Sequence, residues 1–484
     1  MDVEHSQVVD SRRVHRRNGR SSVGGAYVLY WMERAQRARC NHALEHAARR
    51  AQQLDLPLVV CFGLTEDDPD ASHRRYRFLL EGLRQTAGQL ARRQIGFVFR
   101  CGHPVDVCLA LAEDAAFLVM DAAYLRHRRA WRRQVAREAP CPVEEVEADV
   151  VVPAELASDK REHAARTIRP KLLCQRERFL VDLDTTPVPK PAPELDGDDG
   201  LLTPDDDVDE PLQGLAIDWH VPPVSLFFQG GTSRAKARLQ RFLDADLEDY
   251  GDDRLDPARS RASGLSPYLH FGQISPIEIG CAVAGHGGAG AEDFLEELIV
   301  RRELAVNYCF YEPHYDRFRA LPDWATTSLR AHGDDDREHV YTADELEQAR
   351  THDPYWNAAM NEMRYTGYLH NAMRMYWGKR ILAWTNTPEH AFRVALTLNN
   401  RYFLDGADPA SFANVAWLFG LHDRAFGERP VFGKVRTMTR RGLERKYDMD
   451  AYCAAVDDRV ERARAAGIRF DDERDDEPAE AARP

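Results

Sequence analysis

Three tryptophans stand close together in the second half of the chain. Trp356 lies in THDPYWNAAM, and Trp377 and Trp384 lie in MRMYWGKRILAW. Their spacing places the rings of Trp377 and Trp384 on the same side of a helix. Aromatic residues at helical spacing usually belong to a core, but indoles nearly in contact can also pass an electron from the surface to a buried acceptor. Spacing alone leaves both interpretations open.

Charged residues in apolar segments form a second group of candidates. Glu297, in LEELIVRREL, is either paired with a nearby arginine such as Arg301 or kept for a ligand. Arg374 in MRMYW and Asp405 in RYFLDG can form a buried ion pair. The Arg374 guanidinium would then also offer a fixed charge to an anionic cofactor.

A third candidate is the segment RASGLSPYLHFGQIS. Its small residues Ser263, Gly264 and Ser266 precede Pro267 and a helical run. Free backbone N–H groups and hydroxyls at a helix start can bind an anion such as a diphosphate. A capping loop without a ligand explains the same residues.

Several familiar kinds of site are missing from the sequence. There is no GxGxxG, no GxxxxGK[ST] and no HExxH, and no Ser/His/Asp order or paired metal ligands emerge. We therefore expect no metal, and we interpret His270, His352, His370 and His422 as hydrogen-bonded structural residues.

Charge is distributed unevenly along the 484 residues, whose net charge is -14. Between Asp182 and Asp218 there are twelve acidic residues and one basic residue, whereas residues 364–446 hold fourteen Lys and Arg against six acidic residues. The second segment can offer a basic surface to a phosphate backbone, although an ordinary solvated face explains it too.

The nine cysteines are scattered without a CxxC pair, and no stretch is apolar enough to span a bilayer. Together with the lack of a secretory signal, this predicts reduced thiols and a cytoplasmic protein.

The elements that must position these residues follow from periodicity. From Ala26, short apolar runs alternate with helical patterns, which predicts a doubly wound, Rossmann-like parallel sheet with helices on both faces. The later chain shows hardly any period-two pattern and predicts an all-helical domain. We expect two folded domains, an α/β domain at 25–153 and a helical domain at 231–470. Three further segments are expected around them: a basic flexible arm at 1–24, a linker at 154–230 that is acidic and Pro-rich in its second half, and an acidic disordered tail at 471–484.

Taken together, these motifs resemble the photolyase/cryptochrome family, and specifically the class II cyclobutane pyrimidine dimer photolyases. The resemblance extends over most of the chain, from YVLYWMERAQRARCNHAL through SGLSPYLHFGQIS, FLEELIVRREL and ELEQARTHDPYWNAAMNEM to MRMYWGKRILAW and LNNRYFLDGADP. It implies an enzyme, a carbon–carbon lyase, that repairs DNA by electron transfer from photoexcited reduced anionic FAD bound in the helical domain.

The resemblance also assigns residues to roles. Trp377, Trp356 and Trp384 match, in that order outward, the electron chain that reduces the flavin. Glu297 matches the acid that binds the lesion. The rest of the lesion pocket is matched by Arg301, Met375 and Trp417. Asn399 matches the residue beside flavin N5. Further FAD contacts are expected from Tyr250, Ser263, Gly264, Leu265, Ser266, Gln273, His370, Asn371, Arg374, Asp405 and Asp408.

The chain departs from the usual class II pattern at several of these places. It has LNNRYFLDGADPASFANVAW, with Asn400, Phe403, Ala410, Ser411 and Asn414 altering the flavin's surroundings, and DRAF, with Phe426 in place of an indole. The pair His370 and Asn371 is closer to other photolyase classes.

The partner that the resemblance implies is DNA containing cyclobutane pyrimidine dimers, with no membrane, no obligate protein partner and a monomeric state. It leaves open whether a second, antenna chromophore binds, and which. The main alternative is a cryptochrome-like flavin photoreceptor without repair activity; a nucleotide-dependent oxidoreductase is disfavoured because the glycine fingerprint is absent.

Overall fold

The computed structural model describes residues 9–21, 24–195, 207–259 and 261–474. An N-terminal sheet is followed by a C-terminal array of helices, as the periodicity predicts. No described helix is long and apolar enough to cross a membrane.

The sheet has six strands: β1 (Val14–Arg16), β2 (Tyr27–Trp31), β3 (Leu58–Leu64), β4 (Gly96–Cys101), β5 (Ala115–Asp121) and β6 (Val143–Val146). Their order is β1-β6-β5-β2-β3-β4, parallel except for β1, which pairs antiparallel with β6. Every residue of β2, β3 and β5 is buried, because helices α1 (His42–Leu54), α2 (His73–Arg92), α3 (Pro104–Ala112) and α4 (Arg126–Glu138) cover the sheet. The strand order reverses between β2 and β5, as in a doubly wound fold.

The expectation of a flexible N-terminal arm is wrong for its described part. Val14 pairs with Val146 in the antiparallel edge. Arg13 is buried and donates to the carbonyl oxygens of Val150 at 2.9 Å and of Val151 at 2.5 Å. These bonds satisfy backbone groups beyond the end of β6, which fixes the arm. Residues 1–8, 22 and 23 lie outside the described residues.

The predicted linker also contains more structure than its composition suggested. Helices α5 (Ala154–Ala157) and α6 (Ala165–Phe179) lie within it. Ile168 and Leu172, one helical turn apart, are fully buried, so α6 has an apolar stripe that packs against the rest of the protein. Residues 196–206 of its acidic part lie outside the described residues.

The C-terminal part is helical, as expected. Its helices are α7 (Thr232–Ala245), α8 (Tyr250–Asp253), α9 (Ser266–His270), α10 (Pro276–His286), α11 (Ala291–Leu295), a π-helix (Glu296–Arg301), α12 (Arg302–Tyr311), α13 (Asp323–Ala331), α14 (Ala343–Glu347), α15 (Pro354–Thr366), α16 (Asn371–Trp384), α17 (Pro388–Tyr402), α18 (Pro409–Leu418), α19 (Arg440–Glu444), α20 (Met449–Ala465) and α21 (Asp471–Arg474).

The start of the predicted tail is ordered, which corrects its boundary. Asp472, in α21, accepts a hydrogen bond from Arg364 at 2.6 Å. This ion pair holds the first residues of the tail against the helical domain. Residues 475–484 lie outside the described residues.

Candidate functional site

A small cleft opens where α16, α17 and α18 meet. It is narrow, and its walls are Asn371, Arg374, Met375, Trp377, Asn399, Asn414, Val415 and Leu418. Most of these residues were singled out from the sequence, and they come from segments up to 47 residues apart. The fold therefore gathers the predicted residues at one place.

Arg374 and Asp405 form the predicted ion pair at this cleft. The guanidinium Nη2 lies 3.1 Å from Oδ1 of Asp405, and the guanidinium carbon lies 3.8 Å from the centre of the Phe403 ring. Stacking and pairing hold the cation in one orientation. The arrangement presents a fixed positive charge to a ligand in the cleft.

Asn399, on α17, has an unused acceptor. Its side-chain nitrogen donates to Oδ1 of Asn400 at 3.0 Å, and that same oxygen accepts from the backbone of Ala407 at 3.1 Å. The carbonyl oxygen of Asn399 is buried and has no hydrogen-bond partner among the described residues. Leaving such a group unsatisfied costs about 1–3 kcal/mol, so this oxygen indicates a ligand that carries a donor.

His370 and Asn371 begin α16 at the edge of the cleft. Nδ1 of His370 accepts from the backbone of Ala372 at 3.3 Å and caps the helix, and the ring also interacts with the backbone of Arg254. Burial lowers the pKa of His370 to about 4. The ring is therefore neutral at pH 7, while Asn371 is exposed.

Glu297 lies in the π-helix, and its partner is Arg254. Nη1 of Arg254 lies 2.6 Å from Oε1 of Glu297, and the Glu297 side chain remains 40% exposed. The alternative that Arg301 pairs with Glu297 is wrong, because Arg301 is exposed and its Nε lies 3.3 Å from Glu296. One carboxylate oxygen of Glu297 is thus paired with Arg254, and the side chain is exposed enough to bind a second partner.

Tyr250 lies beside this ion pair. The Arg254 guanidinium lies 5.8 Å from the centre of the Tyr250 ring, and the ring packs against Phe242 and Phe294. Burial raises the pKa of Tyr250 well above its usual value. Arg254 itself was missed from the sequence, since a single arginine in YGDDRLDP carries no signal of its own.

Met375 and Trp417, the apolar residues expected at the lesion pocket, lie on α16 and α18. Met375 lines the cleft and is half-buried, as is Trp417 on α18. Two cations flank the Trp417 indole, with Nζ of Lys379 and the guanidinium carbon of Arg436 each 5.5 Å from a ring centre. These contacts hold Trp417 in position.

The segment Ser263 to Ser266 forms a tight loop before α9. Gly264 has φ +63, and a Cβ there would lie 2.5 Å from Nη1 of Arg238. The Arg238 guanidinium also stacks 4.4 Å above the Phe228 ring. Leu265 is buried. A cation that the sequence did not point to therefore lies against the predicted anion-binding loop.

Gln273 and Asp408, both expected to contact a cofactor, instead link the two halves of the protein. Gln273 accepts from the backbone of Gly231 at 2.6 Å and donates to the carbonyl of Phe78 at 3.2 Å. Its amide has both ends occupied, so the expected role in cofactor binding is corrected to a structural one.

The Asp408 carboxylate is similarly occupied. It accepts from the backbone of Ala410 at 2.9 Å, and its other oxygen lies 3.3 Å from Arg34 and 3.1 Å from His270. Burial alone would raise its pKa, but His270 and Arg34 hold the pKa of Asp408 below its usual value. Asp408 caps α18 and fastens it to the α/β domain, which replaces the expected cofactor contact.

The three tryptophans lie near one another, and one of them lines the cleft. Trp377 lines the cleft and is fully buried. Nε1 of Trp356 donates to the Trp377 carbonyl at 2.9 Å, and the ring centres of Trp356 and Trp384 are 5.7 Å apart. Trp384 is 5% exposed against 0% for the other two, so it is the outermost of the three, and the order of electron transfer along them stays a prediction.

Comparison with known proteins identifies consistent similarities. Residues 28–194 match the family model for DNA photolyase. The chain is 44% identical to the deoxyribodipyrimidine photo-lyase of Methanothermobacter thermautotrophicus over 92% of this chain and 98% of that protein. It is 39% identical to the enzyme of the same name from Arabidopsis thaliana, over 89% of this chain and 88% of that one.

A solved structure is similar over most of its length as well. An archaeal photolyase from Sulfolobus tokodaii, crystallised with two FAD molecules, superposes with a TM-score of 0.60 at 18% identity, covering 81% of this chain and 82% of that one. This likeness concerns the fold.

Proposed function

Because this chain belongs to the DNA photolyase family, we propose that it is a class II deoxyribodipyrimidine photo-lyase, which uses light to split cyclobutane pyrimidine dimers in DNA. The observation that carries the proposal is the cleft itself. It combines a fixed cation, a buried unsatisfied acceptor and a fully buried tryptophan.

The residues fit FAD as the cofactor. Asn399 offers its unsatisfied carbonyl oxygen to a ring N–H, and Arg374, fixed by Asp405, offers charge to an anionic ring. The loop at Gly264, with Arg238 beside it, would hold the diphosphate. When bound and reduced, FAD would supply the photoexcited electron that splits the dimer, which is chemistry that belongs to the cofactor.

The protein's own contribution is to bind and orient the lesion. A dimer flipped out of the duplex would lie against Met375 and Trp417, whose apolar surfaces replace the lost base stacking. Glu297 would hydrogen-bond the carbonyl groups of the dimer and stabilise the charge that develops on them. Arg254 positions one oxygen of Glu297 and leaves the other for the substrate.

The proposal also covers the cellular location and the oligomeric state of the protein. The nine cysteines lie in the described residues and form no disulfide, in keeping with a cytoplasmic enzyme, and we infer a monomer from the family resemblance. A photoreceptor without repair activity is disfavoured, because the similar proteins named above are photo-lyases and Glu297 stays available for a lesion.

The test follows loss of dimers from a thymine-dimer oligonucleotide, with the reduced protein under blue light and in the dark. We expect light-dependent repair that falls strongly in Glu297→Ala while the bound FAD is retained. Glu296→Ala is the matched control, since Glu296 is adjacent but pairs with Arg169 and Arg301. Full FAD occupancy without repair in the unaltered protein would refute the proposal.

A further inference from the structure

A second, larger cavity lies between the N-terminal arm and helix α4, apart from the cleft described above. Its volume is about 610 Å³, within the range of about 300–1,000 Å³ that is typical of sites for small organic ligands. Its walls are Arg17, Asn18, Gly19, Arg20, Arg129, Arg132, Arg133, Ala136, Arg137, Glu145, Glu155 and Phe310. None of these residues belongs to the site proposed for FAD or for the lesion.

The walls of this cavity are strongly basic. Six arginines face two glutamates, which leaves four positive charges in excess. Helix α4, with the sequence RHRRAWRRQVARE, contributes four of the six arginines. The chain as a whole has a net charge of -14, so this concentration of positive charge runs against its composition. A concave surface of one sign of charge raises the local concentration of ligands of the opposite sign.

Two of the six arginines already have carboxylate partners. Nη2 of Arg132 lies 2.7 Å from Oδ1 of Asp121 and 2.9 Å from Oε2 of Glu33. Nε of Arg17 lies 2.7 Å from Oε2 of Glu145. These pairs are part of the α/β domain's own structure, and the charge available to a ligand lies on the other arginines.

Arg129 and Arg133 carry the charge that is least compensated. They lie four residues apart on α4, where like charges repel each other. Arg129 is half-buried, and its guanidinium carbon lies 4.0 Å from the centre of the Phe310 ring. Burial and Arg133 lower the pKa of Arg129, although Glu145 and Glu155 act in the opposite direction. A bound anion would relieve the repulsion between the two guanidinium groups.

The arm that forms one wall is held in place by hydrogen bonds. The side chain of Asn18 donates to the carbonyls of Ala136 at 3.2 Å and Cys141 at 3.0 Å. Arg20 donates to the carbonyl of Arg137 at 3.3 Å. Between these two anchors, a Cβ added at Gly19 would have nothing within 4 Å. The wall is therefore fixed, while the space beside Gly19 is open.

We propose that this cavity binds a nucleotide-sized organic phosphate with two phosphate groups, of the chemical class of a nucleoside diphosphate. Guanidinium groups bind phosphate oxygens through paired hydrogen bonds, and Arg129 and Arg133 are spaced about 6 Å apart along the helix axis. Phe310 and Ala136 add apolar surface for the organic part. Because the arm, α4, α5 and α12 all contribute to the walls, the cavity suits a compact ligand better than a continuous nucleic-acid strand. This inference goes beyond the proposed function and does not depend on it.

The experiment is isothermal titration calorimetry of the full-length protein with its FAD bound, using ADP, AMP and inorganic phosphate as probes. We expect one ADP to bind per protein, more tightly than AMP and much more tightly than inorganic phosphate, with an affinity that falls as salt is added. Arg133→Gln should weaken ADP binding about tenfold or more, because it removes a charge-assisted contact. Arg92→Gln, at an exposed arginine on α2, is the matched control and should leave the affinity unchanged.

A second pair of variants tests the cavity without removing an arginine. Gly19→Glu places a negative charge in the open space and should abolish ADP binding, whereas Gly19→Ala should bind ADP as the unaltered protein does. Gly88→Glu makes the same change of charge at an exposed position on α2 that also has nothing within 4 Å of an added Cβ. ADP binding should survive there.

Several results would overturn the proposal. One is the absence of ADP binding to the unaltered protein, and another is an affinity that stays the same in both Arg133→Gln and Gly19→Glu. Inorganic phosphate that binds as tightly as ADP would overturn the assignment to an organic phosphate. Undamaged duplex DNA that displaces ADP from the unaltered protein would assign the cavity to the DNA surface instead.

Discussion

At the scale of single residues, the site is marked by polar groups whose bonds are incomplete. The carbonyl of Asn399 is buried without a partner among the described residues, and Glu297 uses one oxygen for Arg254. Elsewhere in the core, charged residues such as Arg13 are saturated with hydrogen bonds. A ligand with matching groups would complete these bonds.

Lys379 is a buried lysine whose effect on the free energy of unfolding depends on pH. It is fully buried, and its ammonium donates to the carbonyl of Leu418 at the end of α18. Burial lowers the pKa of Lys379 from 10.5 to about 7, although Asp423 acts in the opposite direction. Between those two values the unfolded chain holds a proton that the folded protein lacks.

The first prediction concerns this residue. Because the unfolded state binds more protons, the free energy of unfolding should rise as pH rises from about 7 toward 10.5, by at most about 1.4 kcal/mol per pH unit from this group. Lys379→Met removes the group. Urea unfolding of both proteins across this range should show a slope in the difference between them, and a constant difference would contradict the shifted pKa.

At the scale of elements, the cleft depends on how closely α16 and α18 approach. A Cβ added at Gly378 would lie 2.1 Å from Cδ1 of Leu418. The absent side chain lets the two helices come together, and this places Trp417 over Lys379. Glycine is unfavourable inside a helix, so its presence here is explained by packing.

The second prediction is that Gly378→Ala destabilises the protein by about 1–3 kcal/mol, since the added methyl overpacks a buried contact. Gly88→Ala is the control. Gly88 is exposed on α2 with nothing within 4 Å of its added Cβ, and there alanine should stabilise by up to about 1 kcal/mol. Denaturant unfolding measures the change in stability of both variants. A change in the same direction in the two variants would contradict the packing argument.

At the scale of the whole molecule, a few buried arginines join the two halves. Arg74, at the start of α2, donates to the carbonyls of Tyr402 at 2.6 Å and Met363 at 3.3 Å. Arg37 donates to the carbonyl of Gly272 at 2.9 Å. These bonds fix the α/β domain against the helices that carry the cleft.

Charge is also organised at this scale. Nine of the fourteen basic residues between 364 and 446 are exposed: Arg393, Arg424, Arg429, Lys434, Arg436, Arg440, Arg441, Arg445 and Lys446. Arg436 contacts Trp417, so this surface adjoins the site. A basic surface beside the lesion pocket suits a phosphate backbone even though the net charge is -14.

The third prediction follows from that surface. Arg424→Gln together with Lys434→Gln should weaken binding of dimer-containing DNA and reduce the salt dependence of its affinity by about one unit of slope per lost phosphate contact. Arg133→Gln with Arg137→Gln, two exposed arginines on α4, is the charge-matched control. Fluorescence anisotropy over a salt series measures the DNA affinity of both double variants. An equal loss of affinity in the two would assign the effect to net charge alone.

The sequence by itself determined the elements and many of the residues at the site. Apolar runs such as YVLYW predicted fully buried strands, helical periodicity predicted the C-terminal domain, and Arg374, Asp405, Asn399 and Trp377 were found at one cleft. These features depend on local periodicity and on motif, both of which are written in short stretches of chain.

Tertiary structure alone decided which partners these residues have. Arg254 forms an ion pair with Glu297, which is 43 residues away in the sequence. Arg238 lies against Gly264. Gln273 and Asp408 contribute to the contacts that hold the two domains together. The N-terminal arm likewise becomes an edge strand because β6 lies next to it. Contacts between distant segments depend on how helices and strands pack, and no local pattern encodes that.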